Sequence, residues 1–159
     1  MAYNQLQKPT GKIVERGNPL VMEHKVDSTG PALPGRLVYK GTNDDDAGVK
    51  SATDNVTNMP IGWLGYEQAS ASYKPSDEDT AYSTGDFAPV LNGGHFIIVS
   101  ALSAVNATKG QYLCAGESGM LTAVTTEGSA SMKSVPIAIA MESVNASTSI
   151  TDCAVLSLI

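Results

Sequence analysis

Short runs of alternating large and small residues mark this chain, and the clearest is VPIAIAME at 135–142. Val135, Ile137, Ile139 and Met141 are large and apolar, while Ala138 and Ala140 between them are small. A period of two describes a strand covered on both sides, with its small face pressed against a neighbour and its apolar face filling a core. Pro136 has no N–H to offer a ladder, which places it at the mouth of that strand or on an edge. MPIGWLGYE at 59–67 repeats the pattern, with Trp63, the only tryptophan, as its anchor. Trp63, Ile137 and Ile139 are therefore the expected core anchors.

Other runs follow the same period. PGRLVYKG at 34–41 reads as a turn and a short strand, and a second strand is expected around Val49–Ala52 after the loop TNDDDAG. Phe87–Leu91, the turn Asn92–Gly93–Gly94 and His95–Val99 form a hairpin by their turn chemistry. Gln111–Ala115 and Met120–Thr125 predict two more strands, and Ile150–Ile159 a last, nearly all-apolar one. Ser100–Ala107 fits a strand end or a short helical turn equally. Residues 1–30 carry only the apolar pieces Ile13–Val14 and Leu20–Val21–Met22 between Pro9, Gly11, Gly17 and Pro19. They read either as a loose terminus with one edge strand at Leu20–Val26, or as an arm that adds a strand to a partner's sheet. The long polar stretch 67–86 is a connection of the length that function or mobility explains.

The halves repeat. Gly35, Leu37, Val38 and Gly41 match Gly110, Tyr112, Leu113 and Gly116; Gly48–Ala52 matches Gly119–Ala123; Pro60-Ile61-Gly62-Trp63 matches Pro136-Ile137-Ala138-Ile139. Two copies are too few for a solenoid and suit a small barrel in which strand pairing leaves no open edge. The expected fold is all-β: a small β-barrel at 31–159 made of two similar halves, with an extended N-terminal arm at 1–30.

Composition narrows the function. The chain has 159 residues, 42% apolar and 16% charged, enough to bury roughly 68–70% of its unfolded surface in one domain. A net charge of −6 with scattered Lys and Arg argues against a nucleic-acid groove. No apolar run approaches the roughly 20 residues of a membrane span, and the first residues lack the apolar core of a secretion signal. Cys114 and Cys153 sit in apolar runs and read as buried thiols, with one disulfide as the alternative.

Candidate chemistry is sparse. His24 and His95 have no ligand-spaced partners, so no metal site is expected. Asp44, Asp45 and Asp46 lack the spacing of a calcium loop and read as a solvated tip. Glu67 and Glu142 hold equivalent repeat positions and read as polar strand ends. Sequons at Asn55, Asn106 and Asn145 occur in a Ser/Thr/Asn-rich chain, where such triplets arise by chance. No catalytic, cofactor-binding or metal-ligating set is expected, and the chain is not expected to be an enzyme.

One order of motifs is familiar: Pro-Ile-Gly at 60–62, Gly85-Asp86-Phe87-Ala88-Pro89-Val90, Lys109-Gly110-Gln111-Tyr112-Leu113, then Pro136 to Glu142 and an apolar C-terminal strand. From about Ala32 to Ile159 this resembles the capsid cement, or head decoration, proteins of tailed phages and archaeal tailed viruses. The resemblance implies a small β-barrel or β-tulip, usually a homotrimer, on the outer capsid surface of the virion. There it would stabilise the shell by bridging major capsid protein subunits. It also implies a capsid-binding arm, here Ile13, Val14, Leu20, Val21 and Met22, and no cofactor, nucleic-acid or membrane partner. The acidic loop 43–46 and the stretch 67–86 exceed what a minimal member of that family needs. The alternative function is a glycan- or receptor-binding β module on a virion or cell surface, with Tyr66, Tyr73 and Tyr82 as its candidate aromatics.

Overall fold

The computed structural model describes residues 17–49, 58–65, 81–103, 105–124 and 135–159. Residues 1–16, with Ile13 and Val14, lie outside them, as do Asn55, Tyr66, Glu67 and Tyr73. The described chain is strand and turn with a single 3₁₀ turn at Glu117–Gly119.

The first half supplies β1 (Leu20–Val26), β2 (Leu37–Lys40), β3 (Asp46–Gly48), β4 (Gly62–Leu64) and β5 (Phe87–Asn92), closed as a five-stranded barrel. The second half supplies β6 (Ile97–Leu102), β8 (Tyr112–Ala115), β9 (Leu121–Ala123), β10 (Ala138–Ala140) and β12 (Thr151–Ser157), closed in the same way. Beside the second barrel β7 (Val105–Ala107) and β11 (Val144–Ala146) form a two-stranded ribbon, with Asn106 opposite Asn145 and with Ala107 and Ala146 in that barrel's core.

The duplication is topological. β1 runs parallel to β3 and antiparallel to β5, while β2 pairs β3 and β4, and β4 pairs β5. In the second half β6 runs parallel to β9 and antiparallel to β12, while β8 pairs β9 and β10, and β10 pairs β12. Register agrees residue by residue. The row Leu37–Trp63–Leu91–Val21 across the first barrel has its counterpart in Tyr112–Ile139–Leu156–Ile97 across the second. Leu64–Val90–Met22 likewise corresponds to Ala140–Val155–Ile98. Each half closes on itself, so two barrels stand where the repeat alone allowed one.

Four expectations shift at this level. The run 87–99 is not a hairpin, because β5 pairs with β1 and β4 while β6 pairs with β12 and β9, so the turn between them joins the two barrels. β3 begins at Asp46, inside the stretch read as loop, and not at Val49. Asp46 can enter a strand because its carboxylate accepts from Asn43 Nδ2 (2.7 Å) and its backbone closes the turn onto Gly41. β6 begins at Ile97 and runs to Leu102, because Gly93, Gly94 and His95 all take positive φ and lengthen the turn. In β10 the faces are reversed. Cross-strand partners share a face, and Ala138 and Ala140 pair with the fully buried Leu113 and Val155. The alanines therefore point into the barrel. Ile139 faces outward beside Tyr112 and Leu156, half-buried.

Two cores result. Val26, Val38, Ala47, Leu64, Ala88 and Val90 fill the first barrel. The larger core fills the second barrel and also takes in Leu37, Tyr39, Trp63 and Leu91, which are the outer residues of the first. Trp63 Nε1 donates to Ser157 Oγ (2.9 Å), and Arg36 Nη1 donates to Ser118 O (3.3 Å), so polar bonds fasten the same seam. Gly119, at φ +70, lets the 3₁₀ turn approach that seam: a Cβ there would lie 2.7 Å from Leu37 O. The barrels are one packed body.

Candidate assembly surface

Exposed large apolar residues are concentrated on the first barrel. Leu20, Val21 and Met22 are 65%, 61% and 44% exposed, and Met59 and Phe87 are also open. Burial of such side chains is worth roughly 1.5–3 kcal/mol each, and since Val21 lies in the outer row and Leu20 and Met22 on the opposite face, the start of β1 is open on both faces. β1 pairs with β5 along six residues, from Leu20 to Lys25, but with β3 only at Lys25 and Val26. Val26 exchanges its bonds with the β5 side, its N–H going to Asp86 O and its C=O receiving from Gly85 N. Alternation then turns the N–H and C=O of Val21 and Glu23 away from β5. That edge is open among the described residues.

The entry to β1 is fixed. Gly17 has φ +113, and a Cβ there would sit 2.9 Å from Phe96 Cβ. Gly17 therefore lies beside the turn into β6. Of the five residues expected in an arm, Leu20, Val21 and Met22 are thus exposed on a paired strand.

The other sequence candidates separate. Trp63 and Ile137 are fully buried. Tyr82 is half-buried against the first core and donates to Gly65 O (3.1 Å), so its hydroxyl is spent within the fold. Exposed aromatics lie instead at Phe87 and Tyr112, 60% and 55% open. Sequence reading passed over both, because each alternates correctly for its strand and carries no motif. Only the outward position of their strand rows gives them away.

Polar groups are mostly committed to structure. Asp27 Oδ2 accepts from Thr42 N and Thr42 Oγ1, both at 2.7 Å. Asp44 pairs with Lys40, which holds its carboxyl below the usual range. Asp45 and Asp46 join Glu23, His24, Lys25, Asn43 and Phe87 around an open cleft of about 530 Å³. His24 Nδ1 faces Asp45 O at 3.2 Å, and its Nε2 is out of solvent without a partner among the described residues. Glu142 accepts from Ala154 N (2.7 Å) and so splices β12 to the end of β10. Burial pushes the Arg36 guanidinium down, with Asp152 pulling it back up. Cys114 and Cys153 are buried thiols, with Cys114 Sγ donating to Ala123 O (3.3 Å) and Cys153 Sγ to Ala154 O (3.4 Å). Among the described residues no three His, Cys, Asp or Glu side chains gather as a metal site, and no helix is long and apolar enough to cross a membrane.

An apolar strand with an open edge, on a body whose described polar groups mostly serve the fold, defines a tandem-barrel protein with an uncovered apolar surface. Residues 2–155 match the family of the XM1 gp53 minor capsid protein, and the chain belongs to that family. Among solved structures it is similar to the N base of head fiber gp8.5 of bacteriophage phi29. The likeness has a TM-score of 0.51 at 12% identity and covers 87% of this chain and 94% of that one. At that identity the likeness is one of fold. No curated protein matches the chain in sequence.

Proposed function

We propose that this protein is a structural component of a phage virion that docks on the outer capsid surface as a homotrimer and bridges major capsid protein subunits. Membership of a minor capsid family supports the virion setting. The observation that carries the docking is the bare strand Leu20–Met22, which follows the N-terminal segment and presents apolar side chains and an unpaired edge together. An extended N-terminal arm laid on the shell adds strand pairing, while several copies engaging at once gain avidity of about 10²–10⁴. A charge of −6 suits the outside of a shell better than an interior packed with genome, and the protein needs neither nucleic acid nor membrane in this role.

The test mixes the purified chain with matching expanded capsids and follows co-sedimentation and the melting of the shell. Saturable binding with a raised shell melting temperature is expected; a chain that stays in the supernatant overturns the proposal. Removing residues 1–16 should weaken binding several-fold while the melting temperature of the free protein stays where it was.

A further inference from the structure

The open cleft on the first barrel has a filled twin on the second. Lys25 lies between Asp46 and Phe87 in the strand register, and its counterpart Ala101 lies beside Asp152. Tyr39 pairs with Gly48 as Cys114 pairs with Thr122, so the turn Asn43–Asp46 is the counterpart of Glu117–Met120. The backbone agrees, since Gly41 N donates to Asp46 O and Gly116 N to Met120 O, both at 2.8 Å. In the second barrel this notch is closed, with Val99, Ser100, Ala101, Gly119 and Met120 all buried. Arg36 of the first barrel lies against it. Its Nη1 donates to Ser118 O (3.3 Å), and its Cβ stands 3.1 Å from where a Gly119 Cβ would be. The Asp152 carboxylate attracts its charge. A guanidinium is thus the group that this fold already seats at the notch.

The first barrel keeps the same notch as the open cleft of about 530 Å³. Glu23 and Asp45 line it with exposed carboxylates, and Asp46 adds a third, buried and held by Asn43 Nδ2. Lys25 is the one ammonium among its lining residues. Phe87, 60% exposed, takes the place of Asp152 and offers a ring face where the second barrel has a carboxylate. Carboxylates accept the planar fork of a guanidinium through paired N–H donors, and an aromatic face stacks on its plane. An ammonium has neither the fork nor the plane. We infer that the cleft between Glu23, Asp45 and Phe87 is a binding site for an arginine side chain of a partner protein. A second copy of this chain, docked as the first barrel docks on the second, does not supply that arginine, because the counterpart of Arg36 is Gln111. The site begins where Leu20–Met22 end, and it does not rest on the capsid docking proposed for that strand.

Amide NMR of the whole chain, titrated with a blocked Ala-Arg-Ala tripeptide, tests this. Saturable shifts centred on Glu23–Lys25, Asn43–Asp46 and Phe87 are expected. The same tripeptide with citrulline, the neutral isostere of arginine, should bind at least about tenfold more weakly. Phe87→Ala should weaken the arginine peptide about three-fold. Glu23→Gln combined with Asp45→Asn should remove binding. All three substitutions fall on exposed side chains, so thermal melting should stay where it was. Agmatine, which carries a guanidinium without a peptide, should shift the same amides. No saturable shift, equal affinity for the citrulline peptide, or binding that survives the double carboxylate variant would each overturn the inference. Agmatine binding with none from the tripeptide would overturn it too, since the cleft would then admit a free cation and not a protein side chain. Capsids take no part in this titration, so its failure leaves docking through Leu20–Met22 standing.

Discussion

β1 and β6 hold the same place in two barrels of one topology, yet Leu20 is open where Phe96 is sealed, and Met22 is open where Ile98 is sealed. Topology and register do not set this difference, because both are shared. What differs is what lies over the strand: barrel one covers the start of β6, and no described residue covers the start of β1. The first prediction follows directly. Phe96→Ala should cost about 3–5 kcal/mol of unfolding free energy, while Leu20→Ala should cost about 0.5 kcal/mol or less in the isolated monomer. Urea titration of both variants measures the contrast, and equal losses would show that β1 is covered after all.

The second contrast compares the outer rows. Trp63 is fully buried in the seam and bonded to Ser157, whereas its counterpart Ile139 is half-buried on the outside. Trp63→Ala should cost about 3–5 kcal/mol and Ile139→Ala about 1–2 kcal/mol. Ser157 Oγ also bonds Ile159 O (2.6 Å), so losing the indole leaves the serine satisfied and the cost is one of packing. A Trp63→Ala chain as stable as the unaltered one would mean that the barrels are held by something other than this seam.

Much of this architecture was legible in the residues. The repeat Leu37-Val38 with Tyr112-Leu113, and Gly62-Trp63 with Ala138-Ile139, is reproduced by the strand register itself. Glycine and proline punctuation fixed those turns. The match of Gly48 with Gly119 is not reproduced, because Gly48 ends β3 while Gly119 sits in a turn before β9. Nor was the direction of β10 legible: an alternating Ile/Ala strand tells which residues share a face, not which face is inside, when both faces meet protein. Leu20–Met22 could be singled out as apolar, but whether it lay on a partner or in the core depended on a tertiary seam no local pattern encodes. The candidate surface was thus half visible, with Tyr112 hidden because a tyrosine in a strand looks like core.

The third contrast is a pair of small residues. Gly62 and Ala138 are equivalent, but a Cβ at Gly62 would lie 2.5 Å from Leu91 O and 2.7 Å from Val90 Cγ1. Backbone cannot yield as a side-chain tip does. Gly62→Ala should therefore cost about 1–3 kcal/mol by overpacking, even though the second barrel carries alanine at this place. A neutral result in thermal melting would mean that β4 and β5 can part as far as β10 and β12 do.

The smallest effect expected concerns Tyr39, whose counterpart in barrel two is Cys114. Tyr39 is 1% exposed, and its hydroxyl has no hydrogen-bond partner among the described residues. Burial, with a smaller push from Cys114, raises its phenol well above the ordinary value of 10.0. Removing a buried, unpartnered hydroxyl relieves a desolvation cost, so Tyr39→Phe should be neutral or stabilising by up to about 1 kcal/mol at pH 7. Above pH 10 the sign is determined. The unfolded chain releases the phenolic proton while the folded chain keeps it, so the native state binds more protons and stability falls as pH rises. Phenylalanine removes that contribution, and the variant's advantage should widen between pH 9 and about 11. Urea unfolding at those pH values checks it. An advantage that stays flat would mean that the folded phenol ionises as readily as the unfolded one, with water or a hydrogen-bond donor reaching its oxygen, and that the seam between the barrels is wetter than its packing implies.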